Sequence, residues 1–225
     1  MNKFALVTIF FSILLLKDIS LNAQNIKIKF PPGYNVIVQG ERIPGVTGSQ
    51  YLSEEWTKGR ITLNDGNYID SIDLRLNAYK NEMHYLDKGI EYSISTPKNI
   101  KEIIISNRKF IYSPYIEGST ILYSYFEVLA EGKTDLLALH YIIRKPSSYN
   151  QALDYGEKND RLVLSEKYFI RRGNTVIEHD KKGKNLMELA GIKGDQIKTK
   201  IKEDNLSLKK KEDLIKLVTY ANTLN

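Results

Sequence analysis

The chain has 225 residues, 42% hydrophobic and 27% charged, enough apolar material to offset the entropy of ordering a domain, which excludes wholesale disorder. Its 14 Gly and 6 Pro follow no fixed period, and a mean hydropathy of −0.36 excludes a polytopic membrane protein. The absence of cysteine removes disulfides, thiol nucleophiles, thiolate zinc sites and iron–sulfur ligation together; with 3 His most metal chemistry goes too, and no cofactor is expected.

Met1 to Lys3 supply a positive start, and Phe4 to Leu16 form an apolar run broken only by Thr8 and Ser12. Such a run has the length of a signal-peptide core and falls short of the roughly 20 residues that a membrane-spanning helix needs. Leu21-Asn22-Ala23 ends on a small residue, so residues 1–23 read as a signal peptide cut between Ala23 and Gln24. The remainder is then expected to be exported, periplasmic or secreted, with no membrane span after cleavage. The net charge of +6 is concentrated in Lys181, Lys182, Lys184 and the Lys-rich C-terminus and suits a solvated helix face. Nucleic acid fits poorly with export and so small an excess.

From Lys58 to Ser95 short alternating runs separated by turn residues predict antiparallel strands. Lys58 to Asn64 and Tyr68 to Leu76 pair across Asp65-Gly66, read as a type I′ turn because Gly accepts a positive φ. After a turn over Asn77 to Asn81, Glu82 to Leu86 and Ile90 to Ser95 pair across Asp87-Lys88-Gly89 by the same logic. Pro97 starts a short turn, and Ile100 to Ser106 and Lys109 to Tyr112 pair across Asn107-Arg108. Leu122 to Leu129 and Leu136 to Ile143 are apolar on both alternating faces and predict central, doubly covered strands. Lys145 to Asp160 reads as a long loop. Arg161 to Leu164, Glu166 to Arg171 and Thr175 to Glu178 follow as three short strands.

Beyond residue 183 the period changes. Leu186, Met187, Leu189 and Ala190 predict a short helix, Ile192, Ile197 and Ile201 a second, and Leu214, Ile215, Leu217, Val218 and Ala221 a third with an apolar stripe. The fold class is therefore α+β. An antiparallel β-rich domain over 24–183, a meander, curved sheet or sandwich, precedes a C-terminal helical segment over 184–225.

Candidate chemistry is sparse. Ser95-Thr96-Pro97-Lys98 and Ser207-Leu208-Lys209-Lys210 match a Ser-x-x-Lys pattern that chance supplies in a chain this rich in Ser and Lys. His84, His140 and His179 lie in or beside predicted strands with no second ligand at metal spacing on the same face, and read as ordinary histidines. Glu54, Glu55, Asp65, Asp70 and Asp73 are the carboxylates a glycosidase-like hydrolase would draw on, although a charged hairpin surface accounts for them as well. Of 15 tyrosines, Tyr112, Tyr115, Tyr123 and Tyr125 cluster, and flat aromatic faces stack on sugars or peptides. These four and the single Trp56 are the candidate binding residues. Core packing is the competing role for each.

The order Gly48-Ser49, Tyr51-Leu52, Trp56, Lys58-Gly59, Leu63, Asp65-Gly66, Leu74, Leu76-Asn77, Asn81-Glu82-Met83, Pro97, Ile100, Phe110 and Tyr112 resembles an uncharacterised family of secreted Bacteroidetes-type proteins. Tyr125-Phe126-Glu127, Leu129, Glu131-Gly132-Lys133 and the closing Glu212-Asp213-Leu214-Ile215 extend that resemblance over roughly residues 46 to 222. It implies export and a β-rich domain, and it carries no catalytic residue over. Such bacteria attach O-glycans to exported proteins at an Asp, Ser or Thr, apolar triplet, so the resemblance also implies a glycan on Ser71 within Asp70-Ser71-Ile72.

With no coherent set of nucleophile, base and metal, the chain reads as a non-catalytic exported protein that binds an envelope component, either a glycan or another exported protein. The Tyr-rich strands and the 145–160 loop would form its surface. The alternative is a hydrolase acting on envelope glycan or peptide through paired carboxylates. An outer-membrane barrel is disfavoured by the short strands and the Lys-rich helical end.

Overall fold

The computed structural model describes residues 35–38, 45–180, 182–190 and 194–224; the signal-peptide reading and its Ala23/Gln24 cleavage lie outside them. The first strands are β1 (Asn35–Ile37), β2 (Val46–Thr47), β3 (Thr57–Leu63), β4 (Tyr68–Asn77), β5 (Glu82–Asp87) and β6 (Ile90–Ile94). A 3-10 turn over Pro97–Asn99 leads into β7 (Ile100–Ile105), β8 (Arg108–Glu117), β9 (Thr120–Ala130), β10 (Asp135–Lys145), β11 (Asp160–Arg172) and β12 (Thr175–Glu178). Three helices close the chain, α1 (Lys184–Ala190), α2 (Gly194–Glu203) and α3 (Lys211–Thr223). No helix of the described residues is long and apolar enough to cross a membrane.

Local turn chemistry accounts for the hairpins. Lys88 and Gly89 both have positive φ between the paired Asp87 and Ile90, the geometry of a type I′ turn. The Asp65-Gly66 turn departs from expectation: only Gly66 has positive φ, and the loop is wider, with Leu63 N–H donating to the Asn67 carbonyl at 2.8 Å. β11 is one strand where a break at Ser165 was expected, because β10 runs beside it in register from Asp135↔Arg171 to Lys145↔Arg161. β8 continues through Pro114, which has no N–H to donate. Past Phe110 the pairing with β7 has ended, and β12 joins only at Ile116, so one flank of the strand makes no ladder there.

The strand order is β1-β6-β5-β4-β3-β7-β8-β12-β11-β10-β9, and β9 also pairs with β8. Strands β8 to β12 therefore form a closed ring, from which an antiparallel sheet extends through β7 to β1. The expectation of a purely antiparallel sheet is corrected by that ring. Five hairpin-linked strands alternate in direction, and closing an odd-numbered ring forces one parallel seam, seen at Ile177↔Ile116 between β12 and β8. A second parallel pairing joins β2 to β11 at Val46↔Asp160. The sheet is mixed.

Three apolar clusters hold it. Ile61, Leu74, Leu76, Met83, Tyr85, Ile103, Phe110 and Tyr125 form the core cluster of the extended sheet. Ile111, Tyr115, Phe126, Leu137, Phe169 and Val176 fill the ring. Leu136 and Ile170 of β10 and β11 pack beneath Leu186, Ile197, Leu214, Leu217, Val218 and Ala221, so the helices share a core with the sheet. Each fully buried aliphatic chain there contributes about 2 kcal/mol of transfer free energy. Asn222 pins α3 to the β9–β10 turn: its amide donates to the Thr134 carbonyl at 2.8 Å and accepts from Thr134 N–H at 2.9 Å. β9 and β10 are buried only where they converge, over Ser124–Glu127 and Asp135–His140. Their far ends are exposed, contrary to a doubly covered pair.

Candidate functional site

A cleft of about 650 Å³ is lined by Asn81, Glu82, Ser93, Tyr112, Tyr123 and Tyr125, among others. It forms where the β4–β5 turn reaches across to β9. Asn77, buried at the end of β4, accepts hydrogen bonds from Tyr79 N–H and Lys80 N–H at 3.1 and 3.0 Å and curls the turn. Asn81 then takes a φ of 54°, a left-handed conformation that Asn tolerates better than most residues. Its Oδ1 accepts a hydrogen bond from Tyr125 N–H at 2.7 Å, which fixes the orientation of the amide and leaves Nδ2 as a donor without a partner.

The wall opposite is an aromatic ladder on one face of β8 and β9, set by the registers Tyr112↔Tyr125 and Pro114↔Tyr123. Tyr123 is 43% exposed and Tyr125 2%, with Tyr112 between them. The Tyr112 and Tyr123 rings are stacked, with centroids 5.8 Å apart and planes inclined by 19°. Tyr112 and Tyr125 meet at 4.9 Å, and the Lys98 ammonium sits 4.2 Å from the Tyr123 centroid. Burial is the main cause that pushes the Tyr112 and Tyr125 phenols above their ordinary range, so both stay protonated. The Tyr125 hydroxyl has no partner.

The sequence candidates separate accordingly. Tyr112, Tyr123 and Tyr125 come together, Tyr123 as the exposed rung and Tyr125 beneath the surface. Tyr115 is corrected to a core residue: it points to the other face of β8 and packs edge-on against Phe126 and Phe169 inside the ring, since alternate residues of a strand face opposite sides. Trp56 does not line the cleft. Its ring and that of Tyr51 clasp the Arg75 guanidinium, 4.2 and 3.7 Å from the respective centroids. Ser71 is exposed at a bulge of β4, with a φ of 55° and its N–H donating to Asp70 Oδ1 at 2.9 Å. The 145–160 loop bonds mostly to itself and to Asp160, for example Tyr149 OH to Asp154 at 2.6 Å and Ser147 N–H to Asp160 at 2.8 Å. It does not line the cleft.

Two ionic networks were not foreseen. His84 is fully buried, its Nδ1 2.7 Å from Glu91 and its Nε2 3.1 Å from Glu82 on the cleft wall. Glu91 also accepts from Arg75 at 2.8 Å and Tyr51 OH at 3.1 Å. Burial raises the Glu91 carboxyl, but the hydrogen bonds from Arg75 and His84 outweigh it and hold the group ionised below the usual carboxylate range. The signal was available: Glu82 precedes His84 by two residues and so shares its strand face.

The second network joins strands β8 to β11. Arg108 makes a bidentate pair with Glu127 at 2.8 and 2.7 Å, and His140 Nε2 lies 2.7 Å from Glu127. Glu166, 3.4 Å from His140 Nδ1, binds Tyr168 OH and Lys211. Both networks are carboxylate–imidazole arrays across neighbouring strands, and no metal-holding cluster occurs among the described residues.

The hairpin carboxylates do not converge. Asp73 pairs with Lys58 at 2.7 Å, Asp70 with Arg60, and Asp65 caps Asn67 N–H at 2.9 Å. Glu54 and Glu55 are exposed. Glu82 is the one carboxylate on the cleft wall among the described residues. Compared with known proteins, the chain matches no protein-family model, no curated protein and no solved structure.

Proposed function

We propose that the protein acts by binding an envelope component in this cleft, without catalysis, in an exported compartment. The observation that carries the reading is the pair of buried polar groups left without partners at the cleft, Asn81 Nδ2 and the Tyr125 hydroxyl, beside an exposed aromatic rung. Each such group costs a folded protein about 1–3 kcal/mol when nothing satisfies it, and a ligand entering the cleft supplies what the fold does not. Convergent polar groups within an aromatic-lined concavity are the ordinary makeup of a binding site. The apolar run of the first residues and the resemblance to a secreted family motivate the compartment. The hydrolase alternative calls for a second acid facing Glu82 across the cleft, and the lining offers none among the described residues.

The test is retention of the protein on purified peptidoglycan, envelope polysaccharide and envelope protein fractions, with Tyr123→Ala as control. Tyr123 is the exposed rung, so its loss leaves the core intact. Saturable retention lost in the variant is expected; retention indifferent to Tyr123 would overturn the assignment to this cleft.

A further inference from the structure

Resting on the cleft reading above, we infer that the occupant is a neutral saccharide, one ring of which packs against the part of the Tyr123 ring that Tyr112 and Lys98 leave exposed, while its hydroxyl or acetamido oxygens take the free donors. Charge argues first. The lining holds one acid, Glu82, and one base, Lys80. Glu82 is already engaged by His84, and Lys80 is likewise engaged. Lys98 beside the cleft lies over the Tyr123 ring, apart from Lys80 in the lining, so the cleft lacks the clustered free cations that a phosphate or carboxylate ligand selects.

Hydrogen-bonding character argues next. Asn81 Nδ2 is a pure donor, because its Oδ1 is committed to Tyr125 N–H. The Tyr125 hydroxyl both donates and accepts. Two of the five buried polar side-chain atoms without a partner among the described residues thus belong to the cleft lining. A sugar ring presents hydroxyls that accept and donate in several directions, and it presents C–H groups on one face that pack against an aromatic plane. An apolar ligand would leave the orphaned groups unsatisfied, while an extended peptide would draw its hydrogen bonds chiefly from backbone at a strand edge, such as the flank of β9 beyond its pairing with β10, and not from the buried side-chain groups. Here the partnerless groups are side-chain atoms, and the volume of about 650 Å³ lies in the range of roughly 300–1,000 Å³ typical of small-molecule sites.

Three substitutions separate binding from folding. Asn81→Asp keeps the oxygen that accepts from Tyr125 N–H and keeps a residue tolerant of positive φ, but replaces the donor with an acceptor. Tyr125→Phe removes only the hydroxyl. Tyr123→Ala removes the stacking face at the surface. The purified protein is applied to an array of neutral, N-acetylated and anionic oligosaccharides together with an array of envelope-derived peptides, and hits are titrated calorimetrically. A neutral or N-acetylated oligosaccharide is expected to bind, with Tyr123→Ala and Asn81→Asp each weakening it about tenfold. Tyr125→Phe should weaken it while leaving the urea midpoint unchanged or raised. Tyr123-dependent binding of peptides, with no saccharide bound, would overturn the saccharide inference and leave the cleft reading standing. An absence of any Tyr123-dependent ligand on either array would overturn both. Preferential binding of anionic glycans would also overturn the inference, since it would require a cationic subsite that the cleft does not have.

Discussion

Glu127→Gln keeps the shape of a buried side chain and removes its charge, and its effect on pH dependence follows from the Arg108–Glu127–His140 network. Burial raises the Glu127 carboxyl, but hydrogen bonds from Arg108 and His140, then their charges, outweigh it and hold it at about 2 from an ordinary 4.5. A depressed carboxylate contributes stability that is fully present above the unfolded value and is lost as pH falls through the folded one. The displacement corresponds to about 3 kcal/mol at pH 7, falling to about 1 kcal/mol at pH 3. The wild type therefore loses about 2 kcal/mol through this group between the two pH values, and the Gln variant has no such loss to make. Urea unfolding at pH 7 and pH 3 reads both numbers. The difference between wild type and Glu127→Gln should shrink by about 2 kcal/mol on acidification. An equal difference at both pH values would refute the assignment of this titration to Glu127.

Three further outcomes are expected. Arg75→Met strips the guanidinium from between Tyr51 and Trp56 and leaves the half-buried Glu91 short of a cation. A loss of about 3 kcal/mol is expected, with a shift in the emission of the single Trp56, and unchanged emission and midpoint would contradict the clasp. Leu217→Ala, at a fully buried position, should cost about 3 kcal/mol in one cooperative transition followed by far-UV dichroism, whereas a separate helical transition would show that the helices do not share the sheet's core. Ser71→Gly relieves the positive φ of Ser71 and should stabilise by about 1 kcal/mol. Mass spectrometry of the protein from its native cells should show an added glycan mass missing in this variant, and a bare mass in the wild type would remove the modification reading.

What the sequence disclosed was what is local. The Lys88-Gly89 turn, the alternation of β4 and β5, and the stripe Leu214, Leu217, Val218, Ala221 all depend on residues within a few positions of one another, and they form as read. The parallel β8–β12 seam was hidden because it depends on how many strands enter the ring, which no single hairpin encodes. Alternation placed Tyr123 and Tyr125 on one face but said nothing of depth: Tyr125 is sealed where Asn81, 44 residues away in the chain, meets its N–H. Tyr115 shows the converse, since its odd offset from Tyr112 already assigned it to the opposite face. The histidine networks had a partial signal in Glu82-x-His84. Glu127 and His140 became partners only when β9 turned into β10.

Asn81 explains why the closure of the sheet and the candidate site are one feature. The sheet curls until the β4–β5 turn meets the flank of β9 that β10 has left, because the β9–β10 pairing stops at Glu127↔Ala138. A strand flank so abandoned leaves Tyr125 N–H needing an acceptor in the interior, and a side-chain amide can supply one from a turn. An amide brings two groups where one is needed, so satisfying the backbone strands Nδ2 beside a phenol that has no partner either. Aspartate would close the sheet without leaving a donor, and glycine would relax the φ of 54° without closing it. Only Asn does both and leaves a donor over, and this surplus is what separates the cleft from the two ionic networks, where carboxylates Glu91 and Glu127 are fully engaged.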